Sequence, residues 1–116
     1  MESDKPLVKK QIILDLLYGD ENYVKEFAAA SVESFTEFKN NFEQSVLNRD
    51  MESLRKAGHK IKPVAMMMKL DAILDMYERS KEYLEHKEPD SKLEAVTDEM
   101  NQYCGQLLDE LKELAD

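Results

Sequence analysis

The chain has few of the residues that break helices or cross-link small folds. It contains no tryptophan, one cysteine, three glycines and three prolines in 116 residues. The single Cys104 cannot form an internal disulfide, and no N-terminal run combines a basic start with an apolar core of signal-peptide length. We therefore expect a cytoplasmic protein. Strong helix formers are plentiful along most of the chain, which predicts an all-α fold.

Long apolar runs and an excess of positive charge are also missing. No apolar stretch approaches the roughly 20 residues that a membrane-spanning helix needs. The chain has 25 acidic against 16 basic residues and a net charge of -9, which opposes attraction to nucleic acid and to anionic lipid. We expect neither nucleic acid nor a membrane as a partner.

The helix breakers divide the chain into five helical segments. No segment shows the two-residue alternation of a β-strand for long enough to matter. Four segments are similar in length and one short segment precedes them, which predicts an antiparallel four-helix bundle with a short additional N-terminal helix, in a single domain over residues 1–116. The predicted segments run from about Leu7 to Tyr18, Asp20 to Leu47, Met51 to Met68, Leu70 to His86 and Ser91 to Leu114.

Apolar residues at alternating steps of three and four mark the face of each helix that is predicted to be buried. Asp20 and Asp50 precede the second and third segments, where a carboxylate can cap the first free amides. The residues predicted to be buried are Val24, Phe27, Ser31, Phe35, Phe38, Phe42 and Val46 in the second segment, Ala57, Ile61, Val64, Ala65 and Met68 in the third, Ile73, Leu74, Tyr77 and Leu84 in the fourth, and Leu93, Val96, Met100, Tyr103, Leu107, Leu111 and Leu114 in the fifth.

Residues 55–69 form a basic stretch inside an acidic chain. They contain five basic residues and one histidine, and no acid. At about 100° per residue, His59 falls about 160° from the middle of the apolar arc of its helix. Its ring is therefore predicted to project from the surface, and a histidine buried in the core is disfavoured. The five basic residues are Arg55, Lys56, Lys60, Lys62 and Lys69.

The segment Ala57-Gly58-His59-Lys60-Ile61-Lys62-Pro63, followed by Met68-Lys69-Leu70, resembles the histidine-containing phosphotransfer domains of bacterial phosphorelays. The signature of that family is a histidine, two residues, a lysine, usually a glycine, and then small residues. The resemblance covers most of the chain, because Leu17-Tyr18-Gly19-Asp20-Glu21, the phenylalanine-rich second helix and the turn Asn48-Arg49-Asp50 also fall where the family has comparable features.

The resemblance implies that His59 accepts a phosphoryl group on Nε2 from a receiver-domain aspartate and passes it to another, and that the charge of Lys62 steadies that group. It implies no cofactor of the chain's own, with Mg²⁺ on the partner receiver. No Gly-rich phosphate loop or Walker lysine is present, so no ATP site and no kinase activity are expected. Expected partners are receiver domains of response regulators or hybrid histidine kinases, bound by a monomer. The residues expected to contact them are Arg55, Lys60, Pro63 and Met66.

Pro63 stands where the family usually has glycine. A proline there has no amide proton for the carbonyl of His59, and its ring crowds that carbonyl, so a kink is expected beside the histidine. Two interpretations stay open: the proline bends the helix over the bundle, or it helps to expose the imidazole ring. The docking geometry of a partner depends on which applies.

Two other functions fit the same sequence. The chain could be a helical adaptor that binds a signalling partner without phosphate chemistry, or a histidine-bearing domain that a kinase ATP-binding domain phosphorylates directly. His86 is predicted to lie at the end of the fourth helix as a surface residue or a partner of the helix dipole. Cys104 is predicted to be a buried, inert thiol. Consecutive methionines at 66–68 point about 100° apart, which disfavours a metal site.

Overall fold

The structure, a computed structural model, describes residues 6–116 and contains five helices, with no strand in that range. Together they form an all-α bundle of four long helices preceded by a short one, which confirms the fold predicted from the sequence. The helices are α1 (Lys10–Leu16), α2 (Glu21–Leu47), α3 (Met51–Met67), α4 (Asp71–Glu85) and α5 (Asp90–Ala115).

The four long helices form a closed ring around one core. Helix α2 packs against α3 and α5, and α4 packs against α3 and α5, while α1 lies on α2. Successive long helices run antiparallel because only three or four residues connect them. Arg49 ties two of these connections together: its Nη2 donates to the carbonyl oxygen of Glu88 at 2.6 Å and to Oδ1 of Asp90 at 2.9 Å.

The core contains the apolar stripes that the sequence predicts. In α2 every residue of the predicted stripe is buried except Phe27, which is partly buried and packs against the core. In α3 the buried set also includes Leu54 and Gly58. Burying stripes from four helices in one cluster removes their apolar surface from water, which is the main favourable term for a bundle of this size. Among the largest fully buried side chains are Phe35, Phe42, Ile73, Leu93, Met100 and Leu107.

Aspartates fix the starts of α2 and α3, as predicted. Asp20 Oδ1 accepts hydrogen bonds from the backbone amides of Asn22, at 2.9 Å, and Tyr23, at 3.4 Å. Asp50 accepts hydrogen bonds from the amide of Ser53, at 3.1 Å, and from its hydroxyl, at 2.8 Å. The two hydrogen bonds from Ser53 hold the pKa of the Asp50 carboxyl below its ordinary value. Each carboxylate satisfies amides that the first helical turn leaves without a partner.

Each of the first four helices is followed, two residues after its last residue, by a residue with left-handed backbone. At the end of α3, Lys69 has φ 57°, and the amide of Leu70 donates to the carbonyl oxygen of Ala65 at 2.9 Å. This is the six-to-one hydrogen bond of a Schellman motif, a position that glycine usually occupies. The four residues are Tyr18, Arg49, Lys69 and Lys87, and Gly19, directly after Tyr18, also has a positive φ of 77°.

Helix α1 is shorter than predicted. The predicted segment begins near Leu7, but the helix begins at Lys10. Val8 lies before the helix and is buried, and its amide donates to Oε1 of Glu110 at 2.7 Å. Packing of this lead-in segment on α5 competes with helix formation, so the N-terminal boundary in the sequence analysis is wrong by three residues. None of the helices in residues 6–116 is both long and apolar enough to cross a membrane.

Candidate histidine site on helix α3

His59 lies in the middle of α3 and its side chain is exposed. The core side of the helix carries Leu54, Ile61 and Ala65, which are almost fully buried. The helical periodicity therefore placed the imidazole ring correctly, on the side of α3 that faces away from the bundle. The ring has no hydrogen-bond or ion-pair partner among the described residues, so both ring nitrogens are available to a ligand or a partner.

The residues one helical turn from His59 share its exposure. Arg55 and Lys62 lie four residues before and three residues after it, which places their side chains on the same side of the helix. Pro63 and Met66 extend the same strip, and Met66 is 58% exposed. We call these residues, with His59, the His59 face: Arg55, His59, Lys62, Pro63 and Met66.

Two of the cations in the basic stretch are engaged by acids that flank the site. Lys60 Nζ lies 2.6 Å from Oε1 of Glu37 on α2, and Lys56 Nζ lies 3.5 Å from Oε1 of Glu52 one turn earlier on α3. The Lys60 pair lies on the α2 side of the helix, whereas Glu52 and Lys56 border the depression beside His59. The positive charge that the sequence places around the histidine is therefore partly balanced in the folded chain.

Lys62 is the cation next to His59 that stays unpaired within residues 6–116. Arg55, the other cation of the His59 face, has a long ion pair, with Nη2 3.9 Å from Oε1 of Glu85 on α4. A pair at that distance between two exposed side chains contributes little and exchanges readily with another anion. An anion attached to His59 would therefore find Lys62 free and Arg55 weakly held.

Pro63 does not interrupt α3, which continues to Met67. Because proline has no amide proton, the carbonyl oxygen of His59 has no helical donor at the fourth residue after it. The kink expected from the sequence stays a prediction, and so does the choice between a bending role and a ring-exposing role for Pro63.

Gly58 was part of the motif but received no role in the sequence analysis. It is buried against α4, and a Cβ atom added there would overlap the Tyr77 ring at Cζ, Cε1 and Oη. The tip of the tyrosine therefore lies directly on the backbone that leads into His59. A glycine inside a helix is a general sign of close approach by a neighbour, but the sequence does not say which neighbour approaches.

Open depressions, rather than closed cavities, border the site. One runs beside His59 and is lined by Met51, Glu52, Arg55 and Lys56. A second, more polar groove lies between α2 and α3, next to the ion pair of Lys60, with a volume of about 410 Å³. Surfaces of this shape suit a macromolecular partner better than a small molecule, because a small ligand needs most of its surface enclosed.

The remaining candidates have structural positions. His86 is the C-cap residue of α4 and is exposed. Cys104 is fully buried, and burial raises the pKa of its thiol to about 12, so it is inert at neutral pH. Met68 is buried while Met66 and Met67 are exposed, so the three do not converge. The described part of the chain contains no cluster of three His, Cys, Asp or Glu side chains that could hold a metal ion.

The fold and the site together define a four-helix bundle that presents an exposed histidine and an unpaired lysine on one side of α3. The chain matches no protein-family model, no curated protein and no solved structure. The residues of the His59 face and the motif that contains them are therefore the features that indicate a function.

Proposed function

We propose that this chain is a cytoplasmic histidine phosphotransfer protein of a two-component phosphorelay. In this proposal, His59 accepts a phosphoryl group from a receiver aspartate and passes it to another receiver. The observation that carries the proposal is the combination of an exposed, unpartnered His59 with an unpaired Lys62 one turn away on the same helix. The resemblance of residues 57–70 to phosphotransfer domains supports the same function.

The exposed ring suits the proposed chemistry. An imidazole nitrogen attacks the phosphorus of the aspartyl phosphate, a P–N bond forms, and the P–O bond to the carboxylate breaks. The aspartate leaves as a carboxylate, and the phosphoryl group carries its negative charge to the ring. Lys62 offsets that charge without having to leave an existing ion pair. The reverse reaction returns the group to a second receiver, which supplies the acceptor aspartate and Mg²⁺.

The surroundings of His59 also suit a docked protein. Met66 offers an exposed, adaptable apolar side chain, and methionine is well suited to contact surfaces that must fit more than one partner. Arg55 and Lys62 place positive charge around the ring, opposite the acidic cleft of a receiver. Binding to a receiver should therefore weaken as salt rises, because the attraction between exposed charges is screened.

The experiment is transfer of labelled phosphate from a phosphorylated receiver to the purified chain. The proposal predicts acid-labile, base-stable label in the wild type and in His86→Gln, and none in His59→Gln. His86→Gln is the matched control because it removes the other exposed histidine. Label that persists in His59→Gln would refute the assignment. Absence of label with every receiver tested, together with binding to one of them, would indicate a helical adaptor.

A second pair of variants tests the role of Lys62. Lys62→Ala should slow transfer by roughly tenfold, because a charged hydrogen-bonding group of this kind contributes about 1.5 kcal/mol. Lys69→Ala removes the same charge just beyond the end of α3 without removing a neighbour of His59, so its transfer rate should stay close to wild type. Equal effects of the two substitutions would show that only the overall charge matters.

A further inference from the structure

The side chains around His59 leave one corner of a surface diamond empty. Positions 55, 58, 59 and 62 form a diamond on one side of α3, and each edge of the diamond joins two residues that are three or four positions apart. Arg55, His59 and Lys62 fill three corners with side chains. Gly58 supplies no side chain at the fourth, and the tip of the Tyr77 ring from α4 lies there instead.

The Tyr77 side chain is held firmly in this position. Tyr77 is 7% exposed, and its Oη is one of the three atoms nearest to the space above Gly58. Lys81 Nζ lies 4.7 Å from the centre of the ring, an attractive cation–π contact that adds to the packing. The tip of the ring therefore has little freedom to move relative to the backbone of α3.

The hydroxyl of Tyr77 is a donor without a partner. It makes no hydrogen bond within the described residues, and its oxygen is not fully enclosed by the protein. Burial raises the pKa of the phenol above its ordinary value, while the positive charges of Lys81 and Arg55 act in the opposite direction. The group keeps its proton at neutral pH and can donate it in a hydrogen bond.

We infer that the Tyr77 hydroxyl donates a hydrogen bond to a phosphoryl oxygen carried by His59, and that it forms, with Lys62 and Arg55, one set of donors on the α4 side of the ring. This inference rests on the proposed function and extends it by assigning a phosphate ligand on a second helix. A phosphoryl group has three terminal oxygens, and the three donors can serve them together. Arg55 joins the set by exchanging its long ion pair with Glu85.

Gly58 has a specific part in this arrangement. Only a residue without Cβ allows the tyrosine tip to reach the corner next to His59. An alanine at position 58 keeps the hydroxyl in the protein but displaces it from that corner. The glycine of the motif is therefore required for the reach of Tyr77, in addition to the packing of α3 against α4.

The test uses phosphoramidate, a small phosphoryl donor that phosphorylates exposed histidines without any receiver. The imidazole attacks its phosphorus, a P–N bond forms and ammonia leaves. Because no receiver is needed, a failure of the phosphorelay proposal does not affect this experiment. The intact chain is labelled with ¹³C at the Cζ atoms of its tyrosines, whose resonances respond to hydrogen bonding of the phenol oxygen.

The inference predicts that phosphorylation shifts the Cζ resonance of Tyr77 and leaves that of Tyr23, an exposed tyrosine on α2, in place. The shift is lost in His59→Gln and in Gly58→Ala. Tyr77→Phe retains the ring and removes only the hydroxyl, so it should move the ³¹P resonance of the phosphohistidine, whereas the control Tyr23→Phe should not. A Tyr77 resonance that does not respond to phosphorylation of His59 would overturn the inference.

Discussion

Two glycines, Gly58 and Gly105, lie inside helices but have different surroundings. Gly58 lies in α3 against the Tyr77 ring. Gly105 lies in α5, and apart from the nearby backbone of its own helix no atom of residues 6–116 lies within 4 Å of a Cβ added there. Alanine is favoured over glycine inside a helix by about 1 kcal/mol, chiefly through backbone entropy. Helix propensity alone therefore predicts that Gly58→Ala and Gly105→Ala stabilise the protein equally.

Packing reverses the sign at one of the two positions. The added methyl at position 58 overlaps three ring atoms, and overpacking of a well-packed interface typically costs about 1–3 kcal/mol. We take about 3 kcal/mol because the Tyr77 ring is held by α4 and has only two side-chain torsions. Subtracting the propensity gain leaves Gly58→Ala destabilised by about 2 kcal/mol, while Gly105→Ala is stabilised by about 1 kcal/mol.

Urea and thermal unfolding of the two variants measure these free energies directly. A difference of about 3 kcal/mol corresponds to melting temperatures roughly 12 °C apart, at about 4 °C per kcal/mol for a domain of this size. Comparing the double variant Gly58→Ala/Tyr77→Ala with Tyr77→Ala isolates the cause, because without the ring the alanine at 58 should no longer be destabilising. If Gly58→Ala is as stable as Gly105→Ala, Tyr77 does not contact Gly58 as described.

Three further predictions concern other parts of the bundle. Lys69→Gly should stabilise the protein by about 0.5–1 kcal/mol in urea unfolding, because Lys69 has φ 57°. The control Lys25→Gly, inside α2, should destabilise the protein by about 1 kcal/mol. A change of the same sign in both variants would show that the left-handed backbone at Lys69 does not decide the effect. Cys104 should react with a thiol reagent only on unfolding, since burial raises its pKa to about 12, and fast labelling of the folded chain would contradict its burial. The hydrogen bond from Arg79 lowers the pKa of Glu99 below its ordinary value of 4.5, so the stability that this pair contributes is present above pH 4.5 and is lost as the pH falls through the lowered pKa. Glu99→Gln should flatten this part of the plot of unfolding free energy against pH, by less than about 1 kcal/mol because the pair is exposed. An unchanged plot would refute this prediction.

The buried side of each helix could be predicted from the sequence, because the short-range spacing of apolar residues decides it. The apolar steps of three and four in α2 and α3 leave only one side of each helix to bury. The exposure of His59 follows from its angle to that side, without knowledge of the neighbouring helices. The caps Asp20 and Asp50 were also predictable, because capping depends on residues within one turn.

Features that depend on contacts between distant segments could not be predicted in this way. The acids that pair with Lys60 and Arg55 lie on α2 and α4, so a charge count over residues 55–69 overstates the free positive charge. The lead-in before α1 is held by a hydrogen bond to Glu110, 102 residues away. The fit of Tyr77 on Gly58 likewise depends on the register of two helices.

The proposed function requires that His59 both takes and returns a phosphoryl group. The most direct measurement is return transfer: the chain carrying labelled phosphate on His59 is purified and mixed with an unphosphorylated receiver and Mg²⁺, without ATP. We expect the label to leave His59 and to accumulate as acid-stable, base-labile phosphate on the receiver aspartate. Release of the label only as inorganic phosphate, at the same rate with and without every receiver tested, would contradict it.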